Sequence, residues 1–164
     1  MVDAVRIKDI RMLVNPYPIF VEKKTSTDDI AKMLIANPRL KSVYVVDETL
    51  KLIGQVTLKK LIRHEFKNLL PSAFEQFNAL DFIDDQTAED LMVPPVYIKD
   101  NDILKTAFVK MYQSDLDELP VVDKNLHLIG VIDLLELLTI LIEKKEKLAG
   151  RTYLSLTSNR PFHV

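Results

Sequence analysis

Residues 43–62 and 119–138 are two copies of one pattern, 76 positions apart. Laying "VYVVDETLKLIGQVTLKKLI" on "LPVVDKNLHLIGVIDLLELL" makes nine of 20 positions identical without a gap. The identities include Val45/Val121, Asp47/Asp123, Leu50/Leu126, Ile53/Ile129 and Gly54/Gly130. The chain has only three glycines, and two of them fall in register. Upstream, Ala31 matches Ala107, and a one-residue slip lays "PIFV" (18–21) on "PVYI" (95–98). A repeat of this kind demands two like units. Units of roughly 60 residues bury too little surface to stand well alone. The economical solution packs them on each other with pseudo-two-fold symmetry.

Each copy reads as strand, helix, strand, turn, strand, helix. "PIFV" and "PVYI" are short apolar strands. Ser26 or Thr27 caps the helix that follows in one copy, and Asn101 or Asp102 caps it in the other. Ile30, Met33 and Leu34 share one helical face, as do Ile103, Leu104, Ala107, Phe108 and Met111. "SVYVV" and "LPVV" are strands, "DETLK" and "DKNLH" turns, "LIGQV" and "LIGVI" returning strands. Gly54 and Gly130 inside strand patterns mark either a bulge, a close approach by backbone or ligand, or tight helix packing. Amphipathic helices over 58–66 and 134–147 close the copies. The class is α+β (α/β).

Composition removes several functions. Of 164 residues 48% are apolar and 28% charged, a globular mix. Without Cys there is no disulfide, thiolate nucleophile or sulfur-ligated zinc. With 22 basic and 24 acidic residues there is no electrostatic footprint for nucleic acid. Only three histidines occur (His64, His127, His163), and no glycine-rich phosphate loop or nucleophile–base pair, so no enzyme is expected. Charges at Asp3, Arg6, Lys8, Asp9 and Arg11 interrupt the first residues, so no signal-peptide core is expected there. The most apolar stretch, 129–142, carries Asp133 and Glu136 and falls short of the ~20 residues of a membrane span. The expected protein is cytoplasmic and inserts in no membrane.

The β-α-β-β-α order, the "PVVD" strand end, the "LIG" strand and the tandem copies resemble CBS domains (named after cystathionine beta-synthase). A pair of them resembles a Bateman module, and the likeness covers about residues 5–148. It implies a regulatory module rather than an enzyme. Such pairs bind AMP, ADP, ATP or S-adenosylmethionine in clefts between the repeats and commonly form homodimers. The resemblance also implies a ligand motif after the third strand: glycine, apolar, any residue, Ser or Thr, two residues, Asp. There the hydroxyl meets phosphate at a helix N-terminus, and the Asp accepts from the ribose hydroxyls.

In the first copy Thr57 takes the hydroxyl position, which also suits a plain N-cap. Lys60 replaces the Asp; it cannot accept from a hydroxyl but can meet a phosphate, or belong to a solvated basic face with Arg63 and His64. In the second copy Glu136 takes the ribose position and Asp133 the hydroxyl position. Asp133 repels phosphate, so this cleft should prefer adenosine or a cationic adenosyl ligand. Equally, Asp133 and Glu136 can simply cap and solvate the helix. The remaining contacts implied lie at strand starts: Pro18 and Ile19, Ser42 and Val43, Pro95 and Val96, Leu119 and Pro120.

The expected boundaries are residues 1–68 for the first repeat with an N-terminal segment, 69–86 for a helical insertion, 87–149 for the second repeat and 150–164 for a tail. Leu69, Leu70, Phe74, Phe77, Leu80 and Phe82 give the insertion apolar surface for core packing, a cleft cover, a dimer seam or a partner. No metal site is expected: Asp81, Asp84, Asp85, Glu89 and Asp90 read as a solvated acidic face. Three functions stay open. The first is a sensor with no obligatory cofactor, taking an adenosine nucleotide or S-adenosylmethionine and modulating a partner enzyme or transporter. The second is a CBS-fold dimerisation scaffold with degraded clefts. The third is a divalent-cation sensor, since oxygen ligands suit Mg2+.

Overall fold

The computed structural model describes residues 5–10, 17–66 and 87–148. The first repeat runs β1 (Phe20–Glu22), α1 (Thr27–Ala36), β2 (Ser42–Val46), β3 (Leu52–Thr57) and α2 (Leu58–Glu65). After a short helix α3 (Ala88–Leu91) the second runs β4 (Ile98–Lys99), α4 (Leu104–Ser114), β5 (Glu118–Val122), β6 (Leu128–Asp133) and α5 (Leu134–Leu148). Each repeat forms a three-stranded sheet, β1-β2-β3 or β4-β5-β6, with a parallel first pair and an antiparallel hairpin. Val21 pairs with Val45, and Ile98 with Val121. The strand slip read from "PIFV" and "PVYI" is therefore the true register. The strands begin later than those prolines, at Phe20 and Ile98.

Four layers result. Val43, Val45 and Val56 face Ile30, Leu34 and Leu61 on α1 and α2. Leu119, Val121 and Ile132 face Leu104, Ala107, Met111, Leu137 and Ile140 on α4 and α5. The opposite sheet faces meet through Tyr44, Leu52, Val122 and Val131. Both faces of each sheet are covered. That explains why "SVYVV" and "ELPVV" are buried at every position rather than alternating.

The identities shared by the copies have local causes. Asp47 Oδ1 accepts from the N–H groups of Thr49 and Lys51, and Asp123 Oδ1 from those of Asn125 and His127. These Asx turns close both hairpins. Leu50 and Leu126 follow in the left-handed region, at φ 62° and 69°. Leu126 then presents its carbonyl to the Leu52 N–H of the other repeat, 3.0 Å away. Gly54 and Gly130 sit at matching bulges. The register shifts between Val45 and Val46 opposite Gly54, and between Val121 and Val122 opposite Gly130.

Each repeat's lead-in segment crosses to the other repeat. Ile7 belongs to the core under α4, and the N–H groups of Ile7 and Lys8 donate to the carbonyls of Asp102 and Asp100. Reciprocally, Ala88 and Leu91 belong to the core under α1, and the N–H groups of Ala88 and Glu89 donate to Thr25 and Lys23. This exchange explains one departure from expectation. Ser26 caps α1, its hydroxyl accepting from Asp29 N–H at 3.1 Å. The N-cap of α4 is Ile103, not Asn101 or Asp102, and it makes no side-chain cap. The Val5 carbonyl takes the Leu104 N–H instead, and Asp102 turns back to Lys99 N–H. Among the described residues no helix is long and apolar enough to cross a membrane.

Candidate functional site

Where the sheets meet, the strand starts and the α4–β5 loop leave a cleft of about 550 Å3. The first repeat contributes Lys41, Ser42, Gln55, Thr57, Leu58 and Lys59. The second contributes Val93, Pro94, Val96 and the loop from Ser114 to Glu118. Pairing of Ser42 with Thr57 and of Tyr44 with Gln55 places all four on the sheet face turned to the other repeat.

Thr57 is the N-cap of α2, and its hydroxyl accepts from Lys60 N–H at 3.2 Å. Its position at a helix start on a cleft wall suits an anion. Lys41 and Lys59 add positive charge, opposed by Asp115, Asp117 and Glu118. Lys59 Nζ lies 3.2 Å from Asp115 across the mouth, on two exposed side chains. Such a pair contributes little to stability and yields readily to a ligand anion.

Glu118 is the buried charge of the site, 5% exposed. Its carboxylate accepts from the Tyr44 hydroxyl of the other repeat at 3.1 Å. Burial raises its pKa, opposed by the N–H groups of Lys41 and Ser42 and by Tyr44; neighbouring Asp133 adds to the rise. Burial, then Glu118, raises the Tyr44 pKa as well. The fold is therefore favoured by protonating Glu118, and that contribution is lost as pH climbs through the raised pKa. Glu118→Gln should remove the dependence. Between neutral pH and about 4.5 the wild-type Tm should gain on that of the variant as pH falls. Carboxylates held low, such as Asp47 and Glu89, act the other way but cancel in the comparison. Thermal unfolding of both proteins across this range checks it; a constant difference would show that the carboxylate is not strained by burial.

Of the residues expected from the sequence, Ser42, Thr57 and Val96 line this cleft. Lys60 contributes its backbone N–H to Thr57, and its side chain is not part of the wall. Val43 and Leu119 lie in the helix-facing cores. Ile19 packs on the first core and gives its carbonyl to Tyr44 N–H. Pro18 and Pro95 are half-buried, and Pro120 is buried beside Leu119. Asp133 and Glu136 hold the places in the second repeat that Thr57 and Lys60 hold in the first. They form a reciprocal capping box at α5, each carboxylate accepting the other's N–H at 2.8 Å. Missed from sequence were Gln55, Glu118 and the α4–β5 loop. A polar residue inside an otherwise apolar strand was the available signal for Gln55.

Glu89 pairs with Lys23 and Lys24, and Asp90 accepts from Thr87. The other acidic residues considered, Asp81, Asp84 and Asp85, lie outside the described residues, as do the insertion 69–86 and the tail 150–164. Among the described residues no group of three or more His, Asp or Glu could hold a metal ion.

Two β-α-β-β-α repeats, joined sheet to sheet about an approximate dyad with a cleft at the junction, define a tandem domain pair. The CBS domain family matches residues 7–67 and 88–143, more than half of the chain, and the chain belongs to that family. The chain is 26% identical over 114 residues to Protein SDS23 of Scheffersomyces stipitis, which covers 68% of this chain and 21% of that protein. It thus spans about a fifth of the length of that curated relative. A CBS domain-containing protein from Thermotoga maritima superposes with a TM-score of 0.70 at 26% identity, over 85% of this chain and 95% of that one. CBSX2 from Arabidopsis thaliana, solved in complex with AMP, gives 0.67 at 23% identity, over 87% and 99%.

Proposed function

We propose that this protein is a cytoplasmic, non-enzymatic sensor that binds an adenosine-containing ligand in the inter-repeat cleft and modulates a partner protein. The observation that carries the reading is the cleft itself. Its walls come from both repeats, with a helix N-terminus and two lysines on one side and buried polar groups on the floor. A ligand touching both walls favours the arrangement in which they close on it, and can shift a partner only by that differential affinity. The family and the AMP complex of CBSX2 supply the ligand class. The capping box at Asp133 and Glu136 leaves the second repeat less suited to phosphate.

The working unit is a homodimer. Ile35 on α1, Ile62 on α2, Phe66 at the C-terminal cap of α2, and Tyr112, Leu135 and Leu138 on α4 and α5, are exposed. A second copy covers such faces most simply. The test is thermal unfolding with AMP, ADP, ATP, adenosine and S-adenosylmethionine, with light scattering on the same sample. Ligand at ~100 times its Kd should add about 2.7 kcal/mol, roughly 5–10 °C in Tm for a chain of this size. The scattering mass should be that of two chains. A flat response to all five ligands with a dimeric mass would favour the dimerisation scaffold; a monomeric mass would remove the dimer.

A further inference from the structure

Gln55 is 4% exposed and lines the cleft, yet its carboxamide has no hydrogen-bond partner among the described residues. Its backbone is fully engaged, donating to Val93 and accepting from it at 3.0 and 2.9 Å. The side chain is therefore fixed at its root and leaves its amide toward the cleft. The amide faces the water of the cleft in place of a protein partner, and a ligand group that reproduces those hydrogen bonds can take the water's place. The copy of this position in the second repeat is Val131, 76 residues on, which is apolar and packs into the seam. The amide is thus no requirement of the fold. It is specific to the cleft that also carries the hydroxyl of Thr57 and the buried hydroxyl of Ser42.

We infer that Gln55 is the specificity-determining residue of this cleft, its carboxamide pairing with the donor–acceptor edge of a 6-aminopurine. The inference rests on the adenosine reading above and names the group that reads the base. A carboxamide offers one donor and one acceptor side by side, the complement of the amino group of adenine and its neighbouring ring nitrogen. The sugar and its anion then extend toward Thr57 and Lys59 at the α2 N-terminus. The class covers both adenine nucleotides and S-adenosylmethionine, and only the group at the far end separates them.

The experiment is calorimetric titration of the full chain and of Gln55→Met, which keeps the length and loses the amide. The probes are AMP, purine riboside 5′-monophosphate, which lacks the 6-amino group, and S-adenosylmethionine. The wild type should prefer AMP over the purine analogue by about tenfold or more. In Gln55→Met that preference should collapse to near unity, with unliganded Tm unchanged or raised. Whichever of AMP and S-adenosylmethionine binds more tightly identifies the far-end group. A preference that survives in Gln55→Met overturns the inference and leaves the functional reading standing. A wild type that binds none of the three overturns both.

Discussion

Replacing Tyr44 by alanine should lower the unfolding free energy by about 3–5 kcal/mol, the range for deleting a large buried aromatic. In a chain of this size that is a fall in Tm of roughly 6–20 °C. Tyr44 is wholly buried and sits in the cluster that joins the two sheets. Its loss opens a cavity at the seam and leaves Glu118 without its hydroxyl donor. Tyr44→Phe separates the two contributions. The ring still fills the seam, so only the hydrogen bond to a charged acceptor is lost, about 1–3 kcal/mol. Chemical denaturation of the three proteins measures both. If alanine costs less than about 1 kcal/mol, the sheets are not packed on each other as described here.

A methyl group at Gly54 should cost about 1–3 kcal/mol, because the space beside it is filled. An ideal Cβ there would lie 2.5 Å from Met92 Sδ and 3.0 Å from Met92 Cβ and Cγ. The thioether end can swing aside, but Met92 Cβ is tied to a backbone held by the hydrogen bonds between Val93 and Gln55. A double-mutant cycle isolates the contact. Gly54→Ala combined with Met92→Ala should be clearly more stable than the sum of the single losses, since the second change removes the obstruction. Additivity within about 0.5 kcal/mol would show that Met92 is not what requires glycine. Because Gln55 follows Gly54, the same crowding should weaken ligand binding in Gly54→Ala, and Met92→Ala should restore it.

Much of the fold is legible in the sequence because its determinants are local and written twice. Asp47 and Asp123 build their own turns, Leu50 and Leu126 complete them, and the glycines mark the bulges. Two copies of one pattern expose those positions without any further comparison. The bulge read at Gly54 occurs there, but what comes close to the glycine is the Met92 side chain rather than backbone or a ligand. What was not legible comes from chain segments far apart in sequence. Ile103 rather than Asp102 caps α4 because the lead-in segment delivers a carbonyl from about a hundred residues upstream. Glu118 reads as an ordinary charge before a strand and becomes a buried acceptor only when Tyr44 arrives from the other repeat. Motif spacing pointed to Thr57 correctly as a helix cap on a cleft wall. It could not show that Asp133 and Glu136 would satisfy each other's N–H groups.

The reciprocal seating of the lead-in segments bears on how such a chain could arise. A solitary copy would carry a strap whose seat lies on a different molecule, so two solitary copies would clasp one another by exchanging arms. Fusing them end to end converts that intermolecular clasp into an internal one, with the effective concentration of a tether in place of the concentration of a partner. Cutting the chain between the copies should therefore not free two folded halves. It should yield fragments that reassemble only together, each supplying the arm that the other needs.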